Sequence, residues 1–297
     1  MSSSPPLRDA STVILARERN NSLEIYLLRR STKSGFMDGM YVFPGGTVDE
    51  QDRSLSDWQN SIDLSISRIE QLLCNDTFNA EAALAFGVAA IRETLEEAGV
   101  LFASPKGKTQ DDFEQMASLR MKNGLLKGWF KPRIQKDNWI LLFSSLGCWS
   151  HWISPKTMKK RFDTRFFITI MPDNQTCEPD NIETKHGIWL TPKAALEQNL
   201  TAQTPLSPPT VVTLTQLSKF SNLAELKKEI YTRPWGKPIS PIMLPSDRGH
   251  VIIEPWDPEF HSPDRINLMD LDKKVLEPGV SFSRIWCNNG LWKPVGA

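Results

Sequence analysis

Three observations predict an α+β fold. Strand-like runs cluster early, within residues 11–30, and again at 161–171. One long helical pattern, 79–98, lies between them. Strands and helices also follow one another without the strict βαβ alternation of a doubly wound parallel sheet.

Taken in order, "STVILAR" and "LEIYLLRR" read as two strands of a hairpin turning at Asn20 and Asn21. In the second run Leu23, Ile25 and Leu27 alternate with Glu24, Tyr26 and Leu28, giving one face that is apolar throughout. A loop with Gly35, Gly39, Pro44, Gly45 and Gly46 follows, interrupted by the short strand-like "MYVF". Residues 53–79 are polar and mixed, and "SISRIEQLL" within them is amphipathic, as in an inserted helical segment. Asn79 suits the N-cap of the long helix and Gly99 its C′ position. Residues 111–132 are predicted helical, and "RFDTRFFITIM" (161–171) a strand. "GIWLTPKAALEQN" reads as a strand entering a helix capped by Thr191 with Pro192 at its first position. Beyond residue 208 come a helical stretch and two hairpins near 241–255 and 281–295, the second turning at Asn289-Gly290.

The 297 residues carry 35 basic and 35 acidic side chains, so no net field recruits a polyanion and no DNA partner is expected. Cys74, Cys148, Cys177 and Cys287 are widely spaced, without CxxC or Cys/His ligand spacing, and read as free thiols of a reducing compartment. No apolar run long enough to span a membrane and no signal-peptide pattern occurs, and the chain is expected to be soluble and cytoplasmic. The histidines show no HExxH pattern, and no P-loop or GxGxxG fingerprint appears.

The chemistry concentrates on the long helix. At about 100° per residue, Glu96 and Glu97 fall at about −60° and +40° from Glu93, so three carboxylates share one face. Leu84, Val88, Ile91 and Leu95 lie opposite, facing a core. Three like charges near a helix carboxyl terminus repel one another and oppose the helix dipole. Such a face is either simply solvated or is the seat of a divalent cation, for which oxygen ligands favour Mg²⁺ or Mn²⁺ over zinc. Gly45-Gly46 permits either a tight turn or close backbone approach to an anion. Arg29 and Arg30 stand before that loop, and Arg161 and Arg165 flank Phe162 and Asp163; each pair suits either phosphate contact or structural pairing. Trp149 and Trp152 suit either core packing or the lining of a groove.

Together the loop and helix resemble the Nudix box: glycine, five residues, glutamate, seven residues, then R-E-U-x-E-E-x-G-U. "RETLEEAGV" matches the second half from Arg92 to Val100, with Thr94 where an aliphatic residue is usual. Gly46, five residues and Asp52 match the first half, with aspartate in place of glutamate. Residues 53–91, 39 of them, stand where the family has seven, an insertion of 32 residues by difference. A box interrupted at this place resembles the acyl-coenzyme A diphosphatase branch, called Nudix hydrolase 19. So do "LLRRSTKSGFMDGMYVFPGG", "WSHWISPKTMKKRFDTRFF" and "GIWLTPKAA".

The resemblance implies a Nudix α/β/α sandwich around a mixed sheet over residues 8–200, interrupted by the insertion 53–79, with an extension over 201–297 packed on the same domain. It implies a small diphosphate substrate, coenzyme A or its thioesters ahead of a nucleotide sugar, a dinucleotide or a capped RNA end, and Mg²⁺ or Mn²⁺ held by Glu93, Glu97 and Glu96; Asp52 and Thr94, which depart from the box, point instead to a binding module without turnover. Arg92 would orient the acids through an ion pair with Asp52, and Gly99 would close the helix. Glu96, Glu97, Arg92 and Glu183 are the implied catalytic residues, Glu183 because it is placed like a downstream glutamate that many Nudix enzymes use. Arg30, Gly45, Gly46 and Arg161 are expected to contact substrate. Peroxisomal residence is common in the branch, but the final residues are not an SKL-type address. The insertion is expected to shape the substrate entrance.

Overall fold

The structure, a computed structural model, describes residues 5–31, 37–104, 106–123, 126–246 and 249–297. Gly35 and part of the "LLRRSTKSGFMDGMYVFPGG" stretch lie outside them.

Strands β1 (Leu7–Arg19) and β2 (Ser22–Arg30) form the first hairpin. Asn20 and Asn21 take φ of 52° and 59° at its turn, a region asparagine tolerates well. There follow β3 (Tyr41–Val42), β4 (Gly45–Thr47), a 3-10 turn (Glu50–Asp52), and helices α1 (Leu55–Trp58), α2 (Ile66–Leu73) and α3 (Ala80–Ala98). After α4 (Gln110–Asn123) and α5 (Phe130–Lys136) come β5 (Gly147–Ile153), β6 (Arg161–Ile170) and β7 (Thr184–Leu190). Helices α6 (Pro192–Leu200), α7 (Pro208–Leu217) and α8 (Leu223–Ile230) lead to β8 (Ile242–Ser246), β9 (Gly249–Ile253), β10 (Arg284–Asn288) and β11 (Leu291–Val295).

The main sheet runs β3-β2-β1-β6-β5, with β4 also paired to β1 and β7 to β2. β1 and β6 are parallel from Leu7↔Arg161 to Ala16↔Ile170, and the remaining pairs are antiparallel. β1 begins four residues earlier than its apolar run because β6 supplies hydrogen-bond partners from a distant stretch of chain. Along one edge β1 meets β4 through Ala10–Thr12 and β2 through Ala16–Arg19. The glycine pair therefore lies where the two hairpin strands have parted.

Both faces of this sheet are buried: the apolar face of Leu23, Ile25 and Leu27 is joined by a second on the other side. Val13, Leu15, Tyr26 and Leu28 pack with α2 and α3, and Ile14, Ala16, Ile25 and Leu27 pack with α6, α7 and α8. The continuous run Val13-Ile14-Leu15-Ala16 is the signature of a strand covered on two sides. The result is α+β, an α/β/α sandwich on a mixed sheet, as the resemblance implies.

The predicted helix 111–132 is two helices, with Gly128 at φ 85° between them. The stretch after 208 is likewise two helices. The C-terminal hairpins join through β9 and β10 into a four-stranded antiparallel sheet, and Asn289 and Gly290 take φ of 52° and 79° at the turn. Ile252 and Ile285 of this sheet share a buried cluster with Trp149 and Ile168 of the main one. Asn199 of α6 donates to Trp292 O at 2.7 Å. Among the described residues no helix is long and apolar enough to cross a membrane.

The insertion is a core element. Trp58, Ile69 and Leu73 are at most 2% exposed, packed against α3 and its surroundings. Trp58 Nε1 donates to Gln51 O at 2.9 Å, and Lys131 of α5 pairs with Asp57 of α1. No residue of 53–79 lines the cavity described below, so the expectation that this segment shapes the entrance is corrected. Trp58, Ile62, Ile69, Leu73 and Phe78 are consumed by packing, while Leu72 stays exposed.

Candidate active site

α3 positions the acids. The Asn79 side chain accepts from Ala82 N at 2.9 Å at one end; at the other, Gly99 turns left-handed (φ 74°) and its N–H reaches Leu95 O at 2.9 Å. Buried Arg120 of α4 lies against Gly99 and donates to Glu96 O at 2.9 Å, placing a cation where the helix dipole favours one. The helix is covered around nearly its whole girth, not on one side only. Thr94, 0% exposed, donates to Ala90 O at 2.7 Å, so the hydroxyl that departs from the box pattern is satisfied within the helix.

Arg92 is the hub of the site, 2% exposed. Its Nε and Nη2 bond Asp52 at 3.0 and 2.8 Å; Nη2 also reaches Thr47 O at 2.9 Å. Nη1 bonds Glu93 and Glu96, each at 2.8 Å. All five guanidinium N–H groups thus have an acceptor. The 3-10 turn carries Asp52 inward, where its carboxylate also accepts Asp49 N at 2.8 Å, and the shorter side chain reaches Arg92 from there. The two halves of the interrupted box therefore meet through one ion pair. Burial alone would lower the Arg92 pKa, but the charges of Glu93, Asp52 and Glu96 outweigh it and hold the guanidinium charged.

The glycine pair touches the acids directly. Gly45 N donates to Glu97 Oε2 at 2.8 Å. A Cβ on Gly45 would stand 2.3 Å from Ser11 O, and one on Gly46 about 2.5 Å from the Glu93 carboxyl. These close approaches account for the absence of a side chain at both positions, and both glycines also line the cavity described below.

Glu97 is 3% exposed, and the side chains of Glu93 and Glu96 are 14% and 17% exposed. Burial, then the neighbouring Glu93 charge, raises Glu97 well above the ordinary carboxylate range. Burial, with Glu96 adding to it, pushes Glu93 up to about 7 against the pull of Arg92. Among the described residues no hydrogen bond occupies the second oxygen of Glu93 or Glu97. Glu93, Glu96, Glu97 and Glu183 line one recess of ≈ 40 Å³. An all-oxygen donor set whose negative charge is disfavoured by burial fits a hard divalent cation. Among the described residues, however, no three acidic, His or Cys side chains close on one point as metal ligands.

A cavity of ≈ 500 Å³ opens from this pole. Gly46, Glu93 and Glu96 line it with the cations Arg8, Arg30 and Lys127, and with Phe43, Trp152, Met158, Phe166 and Met243. Glu183 is exposed at its rim and close enough to raise Glu97 electrostatically, while Arg30 acts on Glu97 in the opposite sense. Arg161 is not brought into the cavity: its guanidinium donates to Ser154 O at 3.3 Å and Pro5 O at 3.2 Å. Arg165 is buried under Phe78, 4.0 Å from the ring centroid. Trp149 is core, whereas Trp152 lines the cavity.

Sequence reasoning did not single out Trp129, whose Nε1 donates to Glu96 Oε1 at 2.7 Å, nor Arg120, Arg8, Lys127 and Glu254. Each reaches the site from an element remote in sequence. Only the left-handed Gly128 beside Trp129 hinted at a deliberate break there.

A family described as the NUDT19 Nudix domain matches residues 7–217. The chain is 28% identical to the acyl-coenzyme A diphosphatase NUDT19 of Xenopus laevis over 250 residues, 73% of this chain but only 66% of that protein's length. It is 28% identical to the Homo sapiens protein of the same description, covering 88% of this chain and 80% of that one. The crystal structure of a NUDIX hydrolase from Alicyclobacillus acidocaldarius superposes with a TM-score of 0.61 at 21% identity, over 78% of this chain and 99% of that chain; this likeness shows the fold.

Proposed function

The chain belongs to the NUDT19 Nudix family, and on that premise we propose that it hydrolyses the diphosphate linkage of coenzyme A or acyl-coenzyme A with a divalent cation, Mg²⁺ or Mn²⁺. The products are (acyl-)phosphopantetheine and adenosine 3′,5′-diphosphate. One observation carries the reading: one large cavity joins the buried acids to Arg8, Arg30, Arg92, Lys127 and Lys160 and to a predominantly aromatic and aliphatic wall. A nucleotide sugar or dinucleotide would have little use for that wall, whereas a thioester brings a long arm and an apolar acyl group.

A cation held by Glu93, Glu97 and Glu96 would supply charge neutralisation for the diphosphate and a lowered pKa for attacking water. Arg92 fixes Glu93 and Glu96 from one side and Gly45 N fixes Glu97 from the other, so the acids are held before substrate arrives. Arg8, Arg30 and Lys127 meet the substrate's phosphate oxygens. Water adds its oxygen to one phosphorus, the bridging P–O bond breaks, and each product keeps one phosphate of the linkage. Both Glu96 oxygens already accept hydrogen bonds, from Trp129 and Arg92. The water proton therefore passes to the exposed Glu183 carboxylate, a base of the kind that contributes about 10²- to 10⁴-fold.

Glu97→Gln keeps the shape and removes the charge. Its turnover of coenzyme A is expected to fall at least about 10²-fold with an unchanged melting curve. Full turnover in a folded Glu97→Gln protein would contradict the assignment and return the chain to a binding role.

A further inference from the structure

Glu96 differs from the other two acids of α3 in how it is held. Among the described residues the Glu93 carboxylate accepts one hydrogen bond, from Arg92 Nη1, and the Glu97 carboxylate one, from Gly45 N. Glu96 accepts at both oxygens: Arg92 Nη1 reaches Oε2 at 2.8 Å and Trp129 Nε1 reaches Oε1 at 2.7 Å. A carboxylate held at one oxygen can still turn about its last bonds, whereas one held at both has its plane fixed. Trp129 stands just before α5, beside the left-handed Gly128, and is half-buried against the core. Its ring lies 6.0 Å from that of Phe130, centroid to centroid, and Phe130 lies 6.0 Å from Trp58 of the insertion. The Lys131–Asp57 pair and a bond of 2.9 Å from Gln135 Nε2 to Asp57 O tie α5 to α1 again. Three packed rings therefore lead from the insertion to Glu96.

A half-buried indole can donate to water, so the need to satisfy an N–H does not require this bond. The chain even leaves the N–H of the buried Trp139 and Trp286 without a partner among the described residues. The acid, not the indole, is what gains. Arg92 alone would hold Glu96 by one N–H of a guanidinium that also serves Asp52 and Glu93. A neutral donor adds a second hold and leaves the carboxylate charge available to a cation. Leu126 and Lys127 line the large cavity, but Trp129 does not, so its route to the reaction runs through Glu96 and not through the substrate. We propose that Trp129 is a positioning residue that fixes the Glu96 carboxylate for the reaction. This assignment rests on the diphosphatase reading above. The line of rings gives the insertion a link to the site without a place in the cavity.

The test compares wild type with Trp129→Phe, which keeps a ring beside Phe130 and removes the N–H. Mn²⁺ binding is read from the electron spin resonance of the free ion, and kcat and KM from turnover of coenzyme A. Hydrogen-bond partners standing behind metal-binding side chains are worth about 10- to 100-fold in metal affinity or activity. Trp129→Phe is therefore expected to bind Mn²⁺ about tenfold more weakly and to lose about tenfold in kcat, with KM and the melting curve near wild type. Should it fail to fold, position 129 is filled with the benzothiophene analogue of tryptophan, which exchanges only the N–H for sulfur, and the same losses are expected. Mn²⁺ affinity and kcat both like wild type, or a loss confined to KM, overturns the positioning role and leaves the diphosphatase reading standing. Wild type that turns over no diphosphate removes both.

Discussion

Gly46 shows how much of the site rests on single atoms. Its backbone φ is not in the left-handed region, so an alanine there is permitted by the chain and opposed only by the Glu93 carboxyl, about 2.5 Å from the new Cβ. Gly46→Ala is expected to displace that carboxylate and lower kcat/KM about 10²-fold, the usual penalty for a misplaced catalytic group, with little change in melting temperature. A fully active Gly46→Ala enzyme would show that Glu93 need not stand where it does. Glu93, Glu96 and Glu97 were legible in the sequence because helix periodicity is local. Trp129 and Arg120 were not, since their contacts to Glu96 span 33 and 24 residues.

At the scale of elements, the question is how a box split by an insertion stays one site. The 3-10 turn and α3 are joined by the Arg92–Asp52 pair, both side chains at most 3% exposed. Removing Asp52 leaves Arg92 paired with Glu93 and Glu96 but takes the acceptors from two of its buried N–H groups, a loss of up to about 3–5 kcal/mol. Asp52→Ala is therefore expected to lower the urea midpoint substantially and to release Glu93 and Glu96 from their fixed positions. A midpoint unchanged from wild type would mean that the pair contributes nothing to joining the halves. The caps of α3 and both asparagine turns could be read directly, as each is set by a few adjacent residues. The early start of β1, the strand β5 and the break between α4 and α5 could not. Those follow from pairing with distant chain and from packing that overrides local preference. The insertion misled for a related reason: its place beside the acids of α3 in sequence suggested an entrance, but its buried Trp58, Ile69 and Leu73 face the core.

Over the whole molecule, the cavity is assembled from the sandwich and the C-terminal sheet together, and Glu254 marks the junction. The unfolded chain releases this proton near pH 4.5, whereas the folded protein holds it to about pH 8. The folded state thus binds more protons across that window, and stability must fall as pH rises through it. Compared with Glu254→Gln, wild type is expected to lose on the order of 5 kcal/mol between those limits, read from urea midpoints at a series of pH values. A difference independent of pH would show that the carboxyl has a compensating partner. No periodicity in the sequence could have paired this residue with a helix 160 positions earlier; only the closed fold brings them to one cavity.

The central claim is the reaction itself. It is tested most directly by mass spectrometry of a panel containing acyl-coenzyme A, coenzyme A, ADP-ribose and capped RNA, each with Mg²⁺ or Mn²⁺ and each with EDTA. Release of adenosine 3′,5′-diphosphate from the two coenzyme A species, abolished by the chelator, is expected. Turnover of ADP-ribose or capped RNA in preference to both, or silence across the panel by a folded protein, would contradict it.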